Sequence, residues 1–445
     1  MRLHGTQIIN EQGHLEIGGC DTVELAKQFG TPLYIMDEAH MRTICRQYHR
    51  SFVEGLKNTE VIYASKAFST LAMCRIIDEE GLGLDVVSGG ELYTALQANF
   101  PVARIYFHGN NKSREELIMA IKAGVGRIVV DNFYEMSIVN ELAREIMNQS
   151  VEVLLRLTPG VEAHTHEYIQ TGQIDSKFGF TITDGTADKA IDLALSYSNL
   201  VLKGIHAHIG SQIFELASFQ HEVEIMINYM ANTLKRTGYP LEELNLGGGF
   251  GIYYVSGDEP AQIADYAKTV EDALKNACKK RTFPRPKIII EPGRSIVGTA
   301  GTTLYTIGST KEIPGIRKYV AIDGGMADNP RPSLYQARYE AVLANRAKEE
   351  STETVTVAGK CCESGDMLIW DIKLPIVESG DLLAIPCTGA YNYSMSSNYN
   401  RLTRPEVVLV KNGHADTIVK RETHADLLRN DVLPTRLEYL HMASR

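Results

Sequence analysis

From residue 61 onward, short runs rich in Val, Ile and Leu alternate with longer stretches of mixed polar and apolar residues. This alternation is typical of repeated strand-helix units that build a parallel sheet. Eight runs lie at residues 61–66, 83–88, 104–109, 127–131, 151–157, 202–209, 243–247 and 287–291. Their spacing lengthens along the chain, which predicts an eight-stranded parallel α/β barrel with long later loops. A doubly wound open sheet is the alternative architecture.

The chain on either side of these units has a different pattern. Beyond about residue 298, strand-like runs follow one another without helices, for example at residues 354–357, 367–372, 381–386 and 406–410, which predicts an antiparallel β domain. The first 35 residues are too few for a core of their own, so we expect them to add a strand or two to that domain. The predicted division is an N-terminal segment, 1–35, a barrel, 36–298, and a C-terminal β domain, 299–445.

Composition narrows the class of protein. A chain of 445 residues with 44% hydrophobic residues can bury a large core. Its net charge of -10, without a long basic cluster, argues against nucleic acid or an anionic membrane as a partner and favours small molecules. No run approaches the ~20 apolar residues that span a bilayer, and the start lacks the apolar core of a signal peptide, so we expect a cytoplasmic protein. Seven scattered cysteines without a C-x-x-C spacing favour neither a disulfide scaffold nor a structural zinc site.

Polar residues at the carboxyl ends of barrel strands are the first candidates for function, because the active site of such barrels lies there. Taken alone, Lys66 is either a lysine that extends its amine to water or a desolvated amine that loses its proton near neutral pH and reacts with a carbonyl. The candidate positions are Lys66 on the first strand, Asp85 on the second, His208 on the sixth, the glycine run 247–251 after the seventh and Glu291-Pro292-Gly293-Arg294 at the eighth.

Each of the other strand ends also has a structural and a functional interpretation. The glycine run is a tight turn or a loop that approaches a phosphate, and its spacing does not match the dinucleotide fingerprint. His206 and His208 share a strand face, which allows a metal pair, a hydrogen-bonded core histidine or a ring lying against an aromatic cofactor. Glu291 and Arg294 form a rim salt bridge, or supply an anion for a ring nitrogen and a cation for a phosphate. Together these features match the requirements of pyridoxal phosphate.

Six motifs, spread over nearly the whole chain, carry a resemblance to a known family. They are, in order, Tyr63-Ala64-Ser65-Lys66-Ala67, His208-Ile209-Gly210-Ser211-Gln212, Gly247-Gly248-Gly249-Phe250, Glu291-Pro292-Gly293-Arg294, Cys362-Glu363-Ser364-Gly365-Asp366 and Met395-Ser396-Ser397-Asn398-Tyr399-Asn400. The chain resembles the alanine-racemase-like, fold type III pyridoxal-phosphate-dependent decarboxylases.

The resemblance implies a cofactor site for pyridoxal 5'-phosphate. Lys66 is the implied covalent attachment point, His208 the ring that stacks on the cofactor and Glu291 the anion that keeps its ring nitrogen protonated. Asp85 and Pro292 belong to the same implied site. The residues implied around the phosphate are Ser211, Gly249, Gly293, Arg294 and Tyr391.

The resemblance also implies a second subunit. Cys362, unless it is an inert buried thiol, is expected to deliver a proton to the neighbouring subunit's substrate, so the active form is expected to be a homodimer with shared active sites. Arg331, unless it is a solvated loop charge, is expected to grip a distal carboxylate with two hydrogen bonds, while Glu363 accepts a distal ammonium. The implied substrate-binding residues are Arg294, Arg331, Tyr335, Glu363 and Tyr391.

The reaction implied by the resemblance is decarboxylation of meso-2,6-diaminopimelate to L-lysine, the last step of lysine biosynthesis, without a metal ion. Three alternatives stay open. They are a sister decarboxylase for another amino acid with a distal carboxylate, a metal-dependent barrel hydrolase using His206 and His208, and a noncatalytic cofactor-binding protein. The stretch 162–179, with His164, His166 and Lys177, resembles the family's loop after the fifth strand.

Overall fold

The computed structural model of the chain describes residues 2–146, 150–160 and 176–438. The N-terminal segment forms a small antiparallel sheet, one helix and one longer strand. Asp21 caps the helix, because its carboxylate accepts a hydrogen bond of 2.8 Å from the Val23 N–H. The elements are β1 (Ile8–Ile9), β2 (Leu15–Ile17), β3 (Cys20–Asp21), α1 (Thr22–Phe29) and β4 (Leu33–Asp37).

Eight parallel strands close into a barrel. Each strand pairs with its neighbours, the last barrel strand pairs with the first, and a short additional strand pairs in parallel with the end of the fifth. The strands are β5 (Thr59–Ala64), β6 (Gly83–Val86), β7 (Ile105–Phe107), β8 (Arg127–Val130), β9 (Val151–Thr158), the short β10 (Phe180–Thr181), β11 (Leu200–His206), β12 (Glu243–Asn245) and β13 (Lys287–Ile290). The predicted eight-stranded barrel is confirmed, and the open sheet is wrong.

Helices surround the barrel, and several begin at side chains that cap them. Thr70 and Ser88 each accept the N–H of a residue in the first helical turn, and Ser113 forms a capping box with Glu116. The helices are α2 (Glu38–Tyr48), α3 (Leu71–Glu79), α4 (Gly89–Gln97), α5 (Arg114–Ala123), α6 (Phe133–Ile146), α7 (Thr186–Ser196), α8 (Leu216–Thr237), α9 (Ile263–Arg281) and α10 (Arg294–Val297). A π-helical turn, His49–Glu54, extends α2, and 3-10 turns lie at Ser65–Ala67, Val102–Arg104 and Gly298–Ala300.

Side chains of the barrel strands alternate between two buried layers, as the period of two requires. One layer packs against the helices in a large continuous core. The other forms a small separate cluster contributed by five strands, and it consists of Ile62, Tyr106, Val129, Leu154 and Ile289. The strand pattern is therefore nearly continuously apolar, which is why the runs are visible in the sequence.

The rest of the chain forms the β domain. Its elements are β14 (Gly301–Ile313), β15 (Arg317–Ile322), α11 (Arg331–Tyr335), β16 (Val342–Leu343), β17 (Glu353–Ala358), β18 (Met367–Leu374), β19 (Leu382–Pro386), β20 (Glu406–Lys411), β21 (His414–Val419), α12 (His424–Leu428) and α13 (Thr435–Glu438), with 3-10 turns at Tyr393–Met395 and Tyr399–Arg401. The main sheet has the order β18-β17-β15-β14-β4-β20-β21.

The N-terminal segment joins this domain, as predicted, through β4. This fully buried strand pairs antiparallel with β14 and parallel with β20. Most pairings of the domain are antiparallel, but β15 and β17 also run parallel. Within the described part of the chain, no helix combines the length and apolar character needed to cross a membrane.

Most of the predicted barrel strands end one to three residues too late in the sequence, and two of these ends carry predicted site residues. Lys66 follows β5 in the turn Ser65–Ala67, and His208 follows β11, which ends at His206. Both side chains therefore belong to loops at the carboxyl end of the barrel, where an apolar run alone does not mark the last ladder residue.

Candidate active site

A cavity of about 870 Å³ lies where the carboxyl ends of the barrel strands face the β domain. It brings together most of the residues that the sequence singled out. The predicted residues that line it are Lys66, Asp85, His208, Ser211, Gly249, Glu291, Gly293, Arg294, Arg331, Tyr335 and Tyr391.

Lys66 projects into this cavity. The barrel surrounds the side chain, and its exposed surface faces the cavity. Burial lowers the pKa of the amine, but interactions with Tyr391, Asp85 and Glu291 outweigh burial and raise it. In the free protein the acidic neighbours therefore favour the charged form of the amine, against the lowering by desolvation.

Glu291 directly follows β13 and is buried among three polar side chains. Its carboxylate accepts a hydrogen bond of 2.6 Å from Asn245 Nδ2 and lies 3.0 Å from His108 Nε2 and 3.4 Å from His206 Nε2. Burial raises the pKa of Glu291, but the two histidines outweigh burial and hold it well below its usual range. This strand end thus presents a buried anion to the cavity.

The two histidines that share the predicted strand have different surroundings. His206 contacts Glu291, and burial lowers its pKa to about 4. The N–H of Gly248 donates a hydrogen bond of 3.2 Å to His208 Nδ1, and burial, followed by Lys66, holds the pKa of His208 well below its usual range. Burial thus favours the neutral form of both rings.

The sequence left open that His206 and His208 form a metal pair. Among the described residues, a set whose ligand atoms lie within 4.8 Å of one another is instead His108, His206 and Glu291. Asp85, also buried, lies 3.9 Å from His108, and burial raises its pKa to about 6. The group is a cluster of acids and imidazoles at one side of the cavity.

Arg294 and Ser211 form the second polar group of the cavity. Arg294 Nη2 donates a hydrogen bond of 2.9 Å to Ser211 Oγ, and its Nη1 donates one of 2.7 Å to the Tyr254 hydroxyl. The guanidinium carbon also lies 4.8 Å from the centre of the Tyr391 ring. The rim salt bridge between Glu291 and Arg294, one of the two interpretations of these residues, is absent among the described side chains, since both partners are buried with other groups.

Two glycines beside this group sit where a side chain would collide with backbone or a neighbouring residue. Gly249 has φ +107°, and a Cβ there would lie 2.6 Å from the carbonyl oxygen of Gly210. A Cβ on Gly293 would lie 2.9 Å from the Cβ of Ala64. The missing side chains leave backbone N–H groups close to the cavity, as a phosphate site requires. Pro292, next to Gly293, is buried and accepts the Ala64 N–H with its carbonyl.

Arg331 enters the cavity from the β domain. It is only 6% exposed, so the interpretation as a solvated loop charge is wrong. Its Nη1 donates a hydrogen bond of 2.5 Å to the Tyr339 hydroxyl, and the guanidinium lies 4.8 Å from the centre of the Tyr254 ring. Neither Arg331 nor Arg294 pairs with a carboxylate within the described ranges. Two buried cations without a paired anion raise the free energy of the folded protein, which indicates that the cavity binds anions.

Cys362 and Glu363 are exposed and lie outside the cavity of their own chain. The Cys362 N–H donates a hydrogen bond of 2.7 Å to Asn400 Oδ1. The alternative of an inert buried thiol is therefore wrong for Cys362. It describes Cys361, which is buried and whose pKa burial raises to about 11.

Several residues that line the cavity or contact its lining were missed by the sequence analysis: His108 and Arg156 line it, Asn245 donates to Glu291 and Tyr339 accepts from Arg331. His108, Arg156 and Asn245 lie at or near the ends of predicted strands, so the rule that selected Asp85 would have found them. Tyr339 carried no comparable signal. Lys177 lines the cavity, whereas His164 and His166 lie outside the described residues.

Comparisons with known proteins complete this description. A family model described as pyridoxal-dependent decarboxylase, pyridoxal binding domain, matches residues 41–298. The chain is 55% identical over 432 residues to the diaminopimelate decarboxylase of Bacillus subtilis (strain 168), an alignment that covers 97% of this chain and 98% of that protein. It is 49% identical over 441 residues to the diaminopimelate decarboxylase of Synechocystis sp. (strain ATCC 27184 / PCC 6803 / Kazusa), covering 97% and 93%. A crystal structure of diaminopimelate decarboxylase from M. jannaschii in co-complex with L-lysine superimposes with a TM-score of 0.92 at 38% identity, covering 98% of this chain and 100% of that one.

Proposed function

Because the chain belongs to the pyridoxal-dependent decarboxylases, and among them to the diaminopimelate decarboxylases, we propose that it decarboxylates meso-2,6-diaminopimelate to L-lysine. This is the last step of lysine biosynthesis, and pyridoxal 5'-phosphate is the cofactor. One observation carries the proposal: the cavity that holds Lys66 also contains two buried guanidinium groups, Arg294 and Arg331, with no carboxylate partner among the described residues. A cofactor phosphate and a distal substrate carboxylate would neutralise one cation each.

The cavity fits the cofactor. Gly249 and Gly293 leave backbone close to the paired Arg294 and Ser211, which together form an anion cradle. When bound, pyridoxal phosphate withdraws electrons from the substrate's α-carbon and so weakens the bond to the departing carboxylate. The residues proposed to hold it are Lys66, Asp85, His208, Ser211, Gly249, Glu291, Pro292, Gly293, Arg294 and Tyr391.

Glu291 and His208 would act through their charge states. Glu291 stays anionic beside His108 and His206, and a buried anion holds a proton on a ring nitrogen that faces it. His208, neutral because it is buried, offers a flat ring without adding positive charge. Lys66 is the amine proposed to attach the cofactor covalently. Its acidic neighbours favour the charged form in the free protein, so the amine must lose a proton before it attaches the cofactor.

Substrate selection would depend on Arg331. A bidentate guanidinium-carboxylate contact requires a substrate with a second carboxylate, which diamine-forming substrates lack. Tyr335 and Tyr391 line the same space, and Glu363 is proposed to accept the distal ammonium. Membership of the decarboxylase family argues against the metal-dependent hydrolase and the noncatalytic protein. The remaining alternative is a sister decarboxylase that acts on another amino acid with a distal carboxylate.

The active form is proposed to be a homodimer. Cys362 is the proposed proton donor, yet it is exposed and outside its own cavity, as is Glu363. Both side chains are therefore available to a second copy of the chain. The cytoplasmic location and the division at residues 35 and 298 stay predictions from the sequence.

The test of the substrate is L-lysine release by the purified holoenzyme from meso-diaminopimelate and, in parallel, from other amino acids with a distal carboxylate. We expect lysine from meso-diaminopimelate. Turnover of another acid without lysine formation would refute the substrate assignment.

The proton donor is tested by Cys362→Ala, with Cys361→Ala as the matched control. Cys362→Ala should keep the visible absorption of the bound cofactor and lose at least about a hundredfold in kcat, as removal of a general acid does. Cys361→Ala should retain turnover, because that thiol is buried. Normal turnover of Cys362→Ala would reject this residue as the donor.

A further inference from the structure

Two loops of the β domain lie side by side, and each leads to residues of a proposed active site. Loop 324–330 runs directly into α11 and positions Arg331 in the cavity of its own chain. Loop 359–366 joins β17 to β18 and carries Cys362 and Glu363, which the proposed function assigns to the partner's cavity.

The side chain of Asp366 joins these loops. It is buried, and its Oδ1 accepts a hydrogen bond of 2.6 Å from the Met326 N–H in the first loop. Its Oδ2 accepts one of 2.8 Å from the Cys361 N–H in the second loop. Hydrogen bonds to an ionised acceptor are about twice as strong as neutral ones. The carboxylate therefore ties a residue shortly before Arg331 to the residue just before Cys362.

Two further hydrogen bonds hold the loops in the same register. The Lys360 N–H donates to the Gly324 carbonyl at 2.8 Å. Ser333 Oγ, within α11, donates to the Gly365 carbonyl at 2.9 Å. The helix that carries Arg331 is thus attached to the loop that carries Cys362 at several points.

The slot around the Asp366 carboxylate has no spare room. A Cβ on Gly325 would lie 2.4 Å from Asp366 Oδ2, and a Cβ on Gly359 would lie 2.1 Å from it. Each of the two loops therefore approaches the carboxylate with a glycine. An acid one methylene longer would displace both loops.

We propose that Asp366 is a positioning residue that sets Arg331 in one active site of the homodimer and Cys362 with Glu363 in the other. The inference rests on the proposed function, because it requires Cys362 and Glu363 to act in the partner's cavity. A shift of either loop then changes substrate binding at one site and protonation at the other.

The first test compares Asp366→Asn with Asp381→Asn. Asparagine keeps the shape of aspartate, but its amide NH2 group replaces one of the two oxygens. A donor then faces one of the two backbone N–H groups from which Asp366 accepts. Asp381 is a matched control, because it is also a buried acid of the β domain, accepts the Glu378 N–H at 2.8 Å and contacts neither loop. Asp366→Asn should keep the cofactor absorption, raise KM and lower kcat by about tenfold each, since a misplacement of about 1 Å can cost about a hundredfold.

Hydrogen exchange gives a readout that does not depend on turnover. In Asp366→Asn the amides of both loops should exchange faster than in the unchanged protein, whereas in Asp381→Asn they should not. Faster exchange in only one loop, or KM and kcat shifts no larger than those of Asp381→Asn, would overturn the inference.

Mixed dimers separate the two sites. A Lys66→Ala chain paired with a Cys362→Ala chain should have one working cavity, formed by the second chain with Cys362 from the first. Asp366→Asn placed on the Lys66→Ala chain should lower kcat, and placed on the Cys362→Ala chain it should raise KM. If neither placement has its effect, the inference is wrong. If the mixture of Lys66→Ala and Cys362→Ala chains without Asp366→Asn is inactive, the proposal that two chains share each active site is wrong. The proposed link between the two sites then fails with it.

Discussion

Replacing Arg331 by glutamine tests the cation on which the proposed substrate selection depends. The guanidinium is 6% exposed, and its hydrogen-bond partner among the described side chains is the Tyr339 hydroxyl at 2.5 Å. A substrate carboxylate would add charge-assisted hydrogen bonds worth about 1.5–3 kcal/mol each. Losing about 3 kcal/mol of these contacts corresponds to roughly a hundredfold rise in KM.

The same substitution should affect stability with the opposite sign. In the free protein Arg331 is a buried charge without a carboxylate partner in the described ranges, and removing such a charge is often neutral or stabilising. We expect the unfolding temperature of substrate-free Arg331→Gln to be unchanged or higher. Loss of a substrate-binding residue should raise KM without lowering the unfolding temperature, whereas loss of a residue that stabilises the fold should lower the unfolding temperature.

The assay is steady-state release of L-lysine over a range of diaminopimelate concentrations, together with thermal unfolding of the substrate-free holoenzyme. Arg317→Gln is the matched control, because Arg317 also lies 4.8 Å from the centre of an aromatic ring, that of Trp370, but pairs with Asp371 at 3.2 Å. It should leave KM unchanged. An Arg331→Gln variant with unchanged KM would refute Arg331 as the carboxylate site, and a lower unfolding temperature would show a structural cation.

Two further predictions concern Lys66 and Asp328. Lys66→Ala should lose the covalent attachment of the cofactor and its visible absorption, while Arg294 and Ser211 still bind the phosphate noncovalently; an unchanged spectrum would contradict the assignment. Burial raises the pKa of Asp328 to about 7, so its contribution to stability is complete below its unfolded pKa of about 4 and is lost as the pH rises through about 7. The free energy of unfolding of Asp328→Asn, measured in urea, should therefore rise by about 2–3 kcal/mol relative to that of the unchanged protein when the pH is raised from 5 to 8. An equal difference at both pH values would argue against a buried neutral acid.

The pattern of short apolar runs was sufficient to predict the barrel and the strand ends that carry its chemistry. Each barrel strand is buried on both sides, so it is a short apolar run that the helical stretches interrupt regularly. Lys66, Asp85, Glu291 and Arg294 stand at the carboxyl ends of such runs, and parallel strands bring these ends to one edge. Chain order was therefore enough to group them.

Which groups face each other across the cavity depends on the packing of segments that are distant in the chain. Periodicity reports that a side chain is buried, but it does not identify the side chains opposite. This is why the contacts of His206 with Glu291 and His108 could not be predicted from its strand pattern. The raised pKa of Lys66 likewise results from charges on other strands, whose distances no local pattern contains.

The β domain depended still more on long-range packing. Arg331 is recognisable in the sequence only through the family resemblance, because its burial arises from packing against Tyr254 and Tyr339, which its local pattern does not show. Cys362 was singled out by its motif, but that it lies outside its own cavity follows from the loop that Asp366 holds. Local pattern thus determined the elements and their order, whereas contacts between residues far apart in the chain determined charge state, orientation and access.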